Sequence, residues 1–326
     1  MKFHRRWWLM SFPNVTRRRR TGLPLLLLSG ILVISPLRPQ EPAVSITPRK
    51  VPLRHRTKGP SDIRMDVNMV MVPVTVTDLF DRPVTNLEVT SFRLFEDNIE
   101  QKILNIYKED GPVSAGLLLD TSSSMKKRIE QSIAAIQRFF QSGMPGDEYF
   151  LVRFSNRPVV VAGFTAKPEE ILRRLPNAPP QGWTALLDAI GLGVHEMKKA
   201  RNSRRALIVL TDGGDNNSRF TESEIRDLVM ESDVRLYAIG ITDQYRFLEK
   251  LSTESGGKAY LAKKLDDLPG VIDHLSKDLR QDYILSYAST RQNDGKYRAV
   301  KVEVVPPPPV QRLNVVWKRG YYAPPD

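Results

Sequence analysis

One carboxylate and two alternate hydroxyls stand together in Asp120-Thr121-Ser122-Ser123-Ser124. Charged and neutral oxygens in this combination suit a hard divalent cation, because Mg2+ takes near-octahedral oxygen coordination and keeps several waters. The segment closes an apolar run, 115–119, that reads as a buried strand. It precedes a stretch in which Ile129, Ile133, Ile136 and Phe140 fall near helical spacing. Open α/β sheets bind ligands where strands end and helices begin. Two further segments have the same placement. Thr184, in Gly182-Trp183-Thr184-Ala185, precedes a helix carrying Leu186, Leu187 and Ile190, and Asp212, in Thr211-Asp212-Gly213, closes the apolar strand 206–210. On a parallel sheet all three segments share one edge, so Asp120, Ser122, Ser124, Thr184 and Asp212 can converge.

Each segment alone has a plainer reading. Asp and Ser before a helix are usually N-caps, and so is Thr184. Thr211-Asp212-Gly213-Gly214 alone reads as a turn, and Asp215 as a loop acid. Trp183 reads as core or loop packing, since aromatics mostly pack, with a partner-binding role as the alternative. Three such segments in order favour a metal site over three unrelated caps and turns.

The elements that would position these residues follow from the hydrophobic pattern. Strands are expected at 115–120, 149–154, 159–164, 206–211, 236–241 and 259–261. Helices are expected at 126–140, 168–174, 185–200, 222–231, 245–255 and 265–279. Runs such as Leu117-Leu118-Leu119 and Leu207-Ile208-Val209-Leu210 are apolar throughout, as in a sheet covered on both faces. The expected fold class is α/β, a doubly wound and mostly parallel sheet over 112–280. The flanking segments 65–111 and 281–326 read as strands, and neither has enough of them for a core. They are expected to pack together as a second, small β-sandwich-like domain.

The net charge of +12 suggests nucleic acid until its distribution is counted. Residues 1–40 carry eight Lys/Arg and no acid, giving +8, and residues 41–64 carry six against two, adding +4. Residues 65–326 therefore sum to zero, which removes a basic nucleic-acid face. The excess belongs to what reads as an export signal over 1–45. Arg17 to Arg20 form a basic block before an apolar segment, 23–34, too short for the ~20 residues of a spanning helix and right for the ~7–15 of a signal core. Ala43-Val44-Ser45 could serve as a small-x-small cleavage site, though far from the apolar segment; without cleavage a short membrane anchor is expected. Residues 46–64 read as a linker. The expected location is periplasm, cell envelope or the exterior. The chain has no cysteine, so disulfides, thiolate metal sites and cysteine nucleophiles are excluded.

Enzyme motifs find little support. The four histidines are His4, His55, His195 and His274. His195-Glu196 begins like a zinc-protease helix, but Lys199 occupies the second histidine position. There is no Gly-x-Ser-x-Gly elbow and no phosphate-binding Gly-rich loop with a following Lys.

The segments LLLDTSSSM, GWTALLDAI and VLTDGGDNNS together resemble the von Willebrand factor A-type domain with a metal-ion-dependent adhesion site, over roughly 112–280. That pattern is Asp-x-Ser-x-Ser, then Thr, then Asp in a Thr-Asp-Gly turn, and Asp120, Ser122, Ser124, Thr184 and Asp212 match it. The flanks FRLFEDNIEQKI and KRGYYAP are similar to exported bacterial proteins of this class. Asn98 stands where those usually have Gly, and Asn tolerates the same turn. The resemblance implies Mg2+ (or Mn2+ or Ca2+) held directly by Ser122, Ser124 and Thr184, with Asp120 and Asp212 often acting through waters. It implies one open position that an acidic residue of a protein ligand fills. The expected function is therefore non-enzymatic, metal-dependent adhesion or interaction. The alternatives are a metal-assisted hydrolase using the same site, or an envelope assembly subunit whose metal only stabilises the fold.

Overall fold

Apolar runs with no polar face need cover on both sides, and the chain supplies it with helices. The computed structural model describes residues 49–50, 68–175, 179–241, 246–306 and 312–325. The export segment at 1–45, and most of the linker after it, lie outside these residues. In chain order the strands and helices are β1 (Arg49–Lys50), β2 (Asn68–Thr77), β3 (Phe92–Glu96), β4 (Ile99–Gln101), β5 (Ile103–Glu109), β6 (Val113–Asp120), α1 (Ile129–Gln141), β7 (Glu148–Phe154), β8 (Pro158–Thr165), α2 (Pro168–Leu172), α3 (Leu186–Met197), β9 (Arg204–Thr211), α4 (Glu222–Glu231), β10 (Arg235–Gly240), α5 (Arg246–Glu254), β11 (Ala259–Leu261), α6 (Leu268–Asp278), β12 (Asp282–Ser289), β13 (Tyr297–Val304), β14 (Asn314–Trp317) and β15 (Gly320–Tyr322).

The central sheet runs β11-β10-β9-β6-β7-β8, parallel except for β8, which is antiparallel to β7. Helices α1, α2 and α6 cover one face through Ile136, Phe139, Ile171 and Ile272. Helices α3, α4 and α5 cover the other through Ile190, Ile225, Val229 and Leu248. The fold is the doubly wound α/β sheet expected from the pattern. All eight residues of β6 are buried. Its Gly116 is required by close approach, since a Cβ there would stand 2.2 Å from Phe150 Cζ.

One expected element is broken. The helix expected over 126–140 is a 3-10 turn, Ser123–Lys127, followed by α1, with Arg128 between them at φ −122° and ψ −12°. Strand β6 delivers the chain at a position from which the first turn winds tightly around the strand end, and the α-helix starts only after it.

The flanking segments form two small antiparallel sheets. One has the order β1-β2-β12-β5 with β14 on β2; the other has the order β15-β13-β3-β4. Each mixes strands from before and after the central domain. Val72, Val74, Leu285 and Tyr287 from the first sheet share a core with Leu94, Val300, Val302 and Tyr321 from the second. The turn before Ile99 puts Asp97 at φ 47° and Asn98 at φ 65°, the left-handed region that Asn and Asp tolerate best after Gly.

A buried acid ties this sandwich to the central sheet. Asp282, at the start of β12, accepts from Arg235 Nη1 (2.7 Å) at the start of β10, and Arg204 Nη2 of β9 lies 3.3 Å away. Thr75 of β2 donates to its other oxygen (2.6 Å). Asp282→Asn leaves two buried guanidiniums short of their counter-charge, and is expected to cost roughly 3–5 kcal/mol. Urea denaturation measures this; an unchanged midpoint would show that the seam does not depend on the ion pair.

Candidate functional site

The chain leaves β6 for β7 on one side, then returns through α2 and α3 to β9 on the other. The connections from the paired strands β6 and β9 thus run to opposite sides, the strand-order reversal beyond whose carboxyl ends α/β sheets bind ligands. Asp120 ends β6 and Asp212 follows the last residue of β9.

The Asp120 side chain is fully buried, at 0% exposure. Its Oδ1 accepts from the Ser122 N–H (2.8 Å), and its Oδ2 accepts from the Thr211 hydroxyl (2.6 Å). Ser122 Oγ lies 3.1 Å from Ser124 Oγ, and Ser124 Oγ donates to Asp212 Oδ1 (2.7 Å). Four of the five expected residues thus form one chain of oxygens from Asp120 to Asp212. Thr184 joins through its backbone. Its N–H donates to Asn216 Oδ1 (2.8 Å), and its carbonyl accepts from the Asn216 and Asn217 N–H groups. The preceding turn is stitched to the first loop by Ser123 N–H to Gly182 O (3.1 Å) and Gln181 N–H to Thr121 O (2.9 Å). All three sequence segments are therefore hydrogen-bonded to one another at one edge.

The plain capping reading does not describe these residues. Ser122 precedes the 3-10 turn without a side-chain cap bond, and none is made at the start of α3 by Ala185. The first amides of α3 are taken by the loop after β9, Leu187 N–H by Asp215 (3.2 Å) and Asp188 N–H by Ser218 Oγ (3.0 Å). Asp215 is thus a structural loop acid. Trp183 departs from the packing expected of it: the residue is 64% exposed. Gly182 at φ +85° turns the backbone, and Asn156 Oδ1 accepts the Trp183 N–H (2.8 Å), so the main chain is held while the ring stays outside.

Several residues at this edge were not foreseen from sequence. Thr211 anchors Asp120, Asn156 and Asn216 position the Thr184 turn, and Arg128 donates through Nη1 to Asp212 Oδ2. Asp215-Asn216-Asn217-Ser218 is a run of residues that bond to nearby backbone, a signal that could have marked the third loop as a scaffold.

Burial pushes the Asp120 carboxyl above its ordinary range. The Thr211 hydroxyl and the Ser122 N–H pull it back, and Asp212 adds to the rise. Among the described residues no Lys or Arg pairs with Asp120. A buried carboxylate without a basic partner, beside neutral hydroxyls and a second carboxylate, is a donor set that fits a hard divalent cation. Among the described residues no three His, Asp or Glu side chains gather as a metal-holding group, so an ion here would draw on the hydroxyls.

The family model for the von Willebrand factor type A domain matches residues 116–214, a stretch that contains all five site residues. The chain carries a von Willebrand factor type A (VWA) domain. It is 26% identical over 166 residues to inter-alpha-trypsin inhibitor heavy chain H4 of Bos taurus, covering 45% of this chain and 18% of that one. It is 27% identical over 150 residues to an uncharacterized protein of Borreliella burgdorferi, covering 43% of this chain and 44% of the other. The match therefore spans less than half the length of either relative. Among solved structures, a von Willebrand factor type A protein from Catenulispora acidiphila aligns at TM-score 0.47 and 11% identity, over 71% of this chain and 75% of that one.

The VWA edge depends on Thr211 holding the buried carboxylate. Thr211→Val removes that donor at nearly constant volume and is expected to cost about 1–2 kcal/mol by chemical denaturation. No loss of stability would mean that Asp120 does not need this hydroxyl.

Proposed function

We propose that this chain is an exported interaction protein whose VWA domain captures a protein partner through a divalent ion, Mg2+ or its analogues Mn2+ or Ca2+. Asp120, Ser122, Ser124, Thr184 and Asp212 would hold the ion. The observation that carries this reading is the fully buried Asp120 carboxylate, linked through Ser122 and Ser124 to Asp212. VWA domains commonly bind protein partners. A bound ion of this class supplies an electrophilic position that a carboxylate from a partner completes. The chain's own residues do the rest. Thr211 and the Ser122 amide fix Asp120, the Asn216 amide fixes the Thr184 turn, and the exposed Trp183 ring stands beside that turn.

The reading is of binding rather than turnover. The loops 120–128, 181–186 and 211–220 contain no histidine to serve as a general base. Export rests on the basic block at Arg17–Arg20 and the apolar segment after it. An exported protein meets partners of the envelope or the exterior, and a near-neutral folded part fits a protein ligand better than nucleic acid.

Calorimetric titration with Mg2+ and Mn2+ tests the site. The wild-type chain is expected to bind one ion, and Asp120→Ala is expected to lose at least tenfold in affinity, about 1.4 kcal/mol. Equal affinity in the two proteins would sink the assignment. Pull-down from envelope extract tests the partner: capture is expected to fall with chelator and with Asp212→Ala. Enrichment indifferent to both would remove the metal from recognition.

A further inference from the structure

Arg128 stands at the break between the 3-10 turn and α1, and its side chain points back to the edge instead of out to solvent. Its Nη1 donates to Asp212 Oδ2 and to the Ser124 carbonyl (3.2 Å). The Asp212 side chain is 1% exposed, and that of Arg128 is 31% exposed. With Ser124 Oγ on Oδ1, both Asp212 oxygens are engaged, one of them by a full positive charge. Asp120, the other carboxylate of the edge, has no such partner among the described residues. The two acids are thus provided for unequally, and the difference is one guanidinium.

We propose that Arg128 is the resident cation of this edge, a positioning residue that neutralises Asp212 and competes with the divalent ion for it. This inference rests on the metal-binding reading above. A guanidinium and a divalent ion that share one carboxylate repel one another, so each weakens the other's hold on Asp212. Ion entry must therefore loosen the Arg128–Asp212 bond, and Arg128 lowers the ion affinity that the oxygens alone would give. The break in the helix serves this role. Arg128 has a non-helical backbone between two hydrogen-bonded turns, which directs its side chain towards Asp212 without displacing the Ile129 to Gln141 helix.

The test uses the full chain, with Mg2+ as the probe and calorimetry as the readout, on wild type, Arg128→Gln and Arg128→Lys. Removing the competing charge is expected to tighten Mg2+ binding roughly fivefold in Arg128→Gln, the scale of a partly exposed ion pair. Arg128→Lys, a point charge without the planar fork, is expected to fall between the two. Thermal melts with chelator present give a second readout. Arg128→Gln should melt lower than wild type, and adding Asp212→Asn to it should recover part of the loss, because the unpaired buried charge is then gone. If wild type binds no Mg2+ and Arg128→Gln does, the competition is stronger than supposed and the inference stands. Wild type binding Mg2+ while Arg128→Gln binds it no tighter would overturn the role of Arg128 and leave the metal site intact. If none of the three proteins binds Mg2+, the metal-binding reading fails and this inference fails with it.

Discussion

Asp120 ends a strand covered on both faces, so its carboxylate is buried where bulk water cannot solvate it. Leaving such a group unpaired costs several kcal/mol, and the surrounding structure is arranged around that cost. The donor on one oxygen is Thr211, the last residue of β9, so the ends of two neighbouring strands are locked in register by a side-chain bond as well as by the sheet. That lock fixes where the chain leaves β9. Asp212 is the next residue, and it arrives within hydrogen-bond reach of Ser124. The donor on the other oxygen, the Ser122 amide, bends the chain after β6 into the tight turn that carries both serines. One buried charge thus sets the geometry of two of the three loops.

Two of the other buried acids among the described residues are treated differently. Glu96 accepts from the hydroxyls of Tyr287, Ser289 and Tyr321 inside the sandwich. Asp282 is held by Arg235, Arg204 and Thr75 at the seam between the sandwich and the central sheet. Each of these has three partners and lies where two layers close over it. Asp120 is held by the Thr211 hydroxyl and by the amide and hydroxyl of Ser122, at the carboxyl end of β6 where the strand order reverses. An acid that only needs to hold a fold together can be fully satisfied by fixed groups. Under the proposed function, Asp120 differs in standing at a strand end beside a second carboxylate, Asp212. The comparison is internal to one chain, so it does not depend on how buried carboxylates behave in other proteins.

Much of this was legible because buried parallel strands write themselves as uninterrupted apolar runs. The run ending at Asp120 and the one ending at Thr211 needed no side-chain detail to be placed at one sheet edge, and they are neighbours there. The pairing of residues 65–111 with 281–326 was legible from shortage alone, since neither set of strands could close a core. What sequence could not show depends on the exact path of the backbone. Arg128 lies in a segment with good helical periodicity, and only the tight winding after β6 breaks the helix there and turns its side chain inward. The hydroxyls of Ser122 and Ser124 have the composition of N-caps, but Ser122 makes no cap bond and the Ser124 hydroxyl donates to Asp212 across the edge. Helix α3 then takes its cap groups from residues about thirty positions later, a partnership no local window contains.

Trp183 was expected to pack, and the reason it does not bears on what the edge is for. Its backbone N–H is held by Asn156, the next residue is held by Asn216, and Gly182 supplies a turn that a Cβ would block by meeting Asn156 Oδ1 at 2.6 Å. The main chain is thus fixed on both sides while Trp183 stays exposed. Burying an indole stabilises a fold by about 2–3 kcal/mol, and that stabilisation is forgone here. The same constraints put the ring next to Thr184, at the rim of the proposed ion site. A partner whose carboxylate reaches the ion would cover this ring as it docks, so the apolar burial absent from folding would be gained on binding. Tryptophan is among the residues most enriched in interface hot spots. Under the proposed function, an exposed tryptophan on a fixed backbone would serve the docking surface, and its cost to the free protein would reflect opposite demands of folding and recognition on one residue.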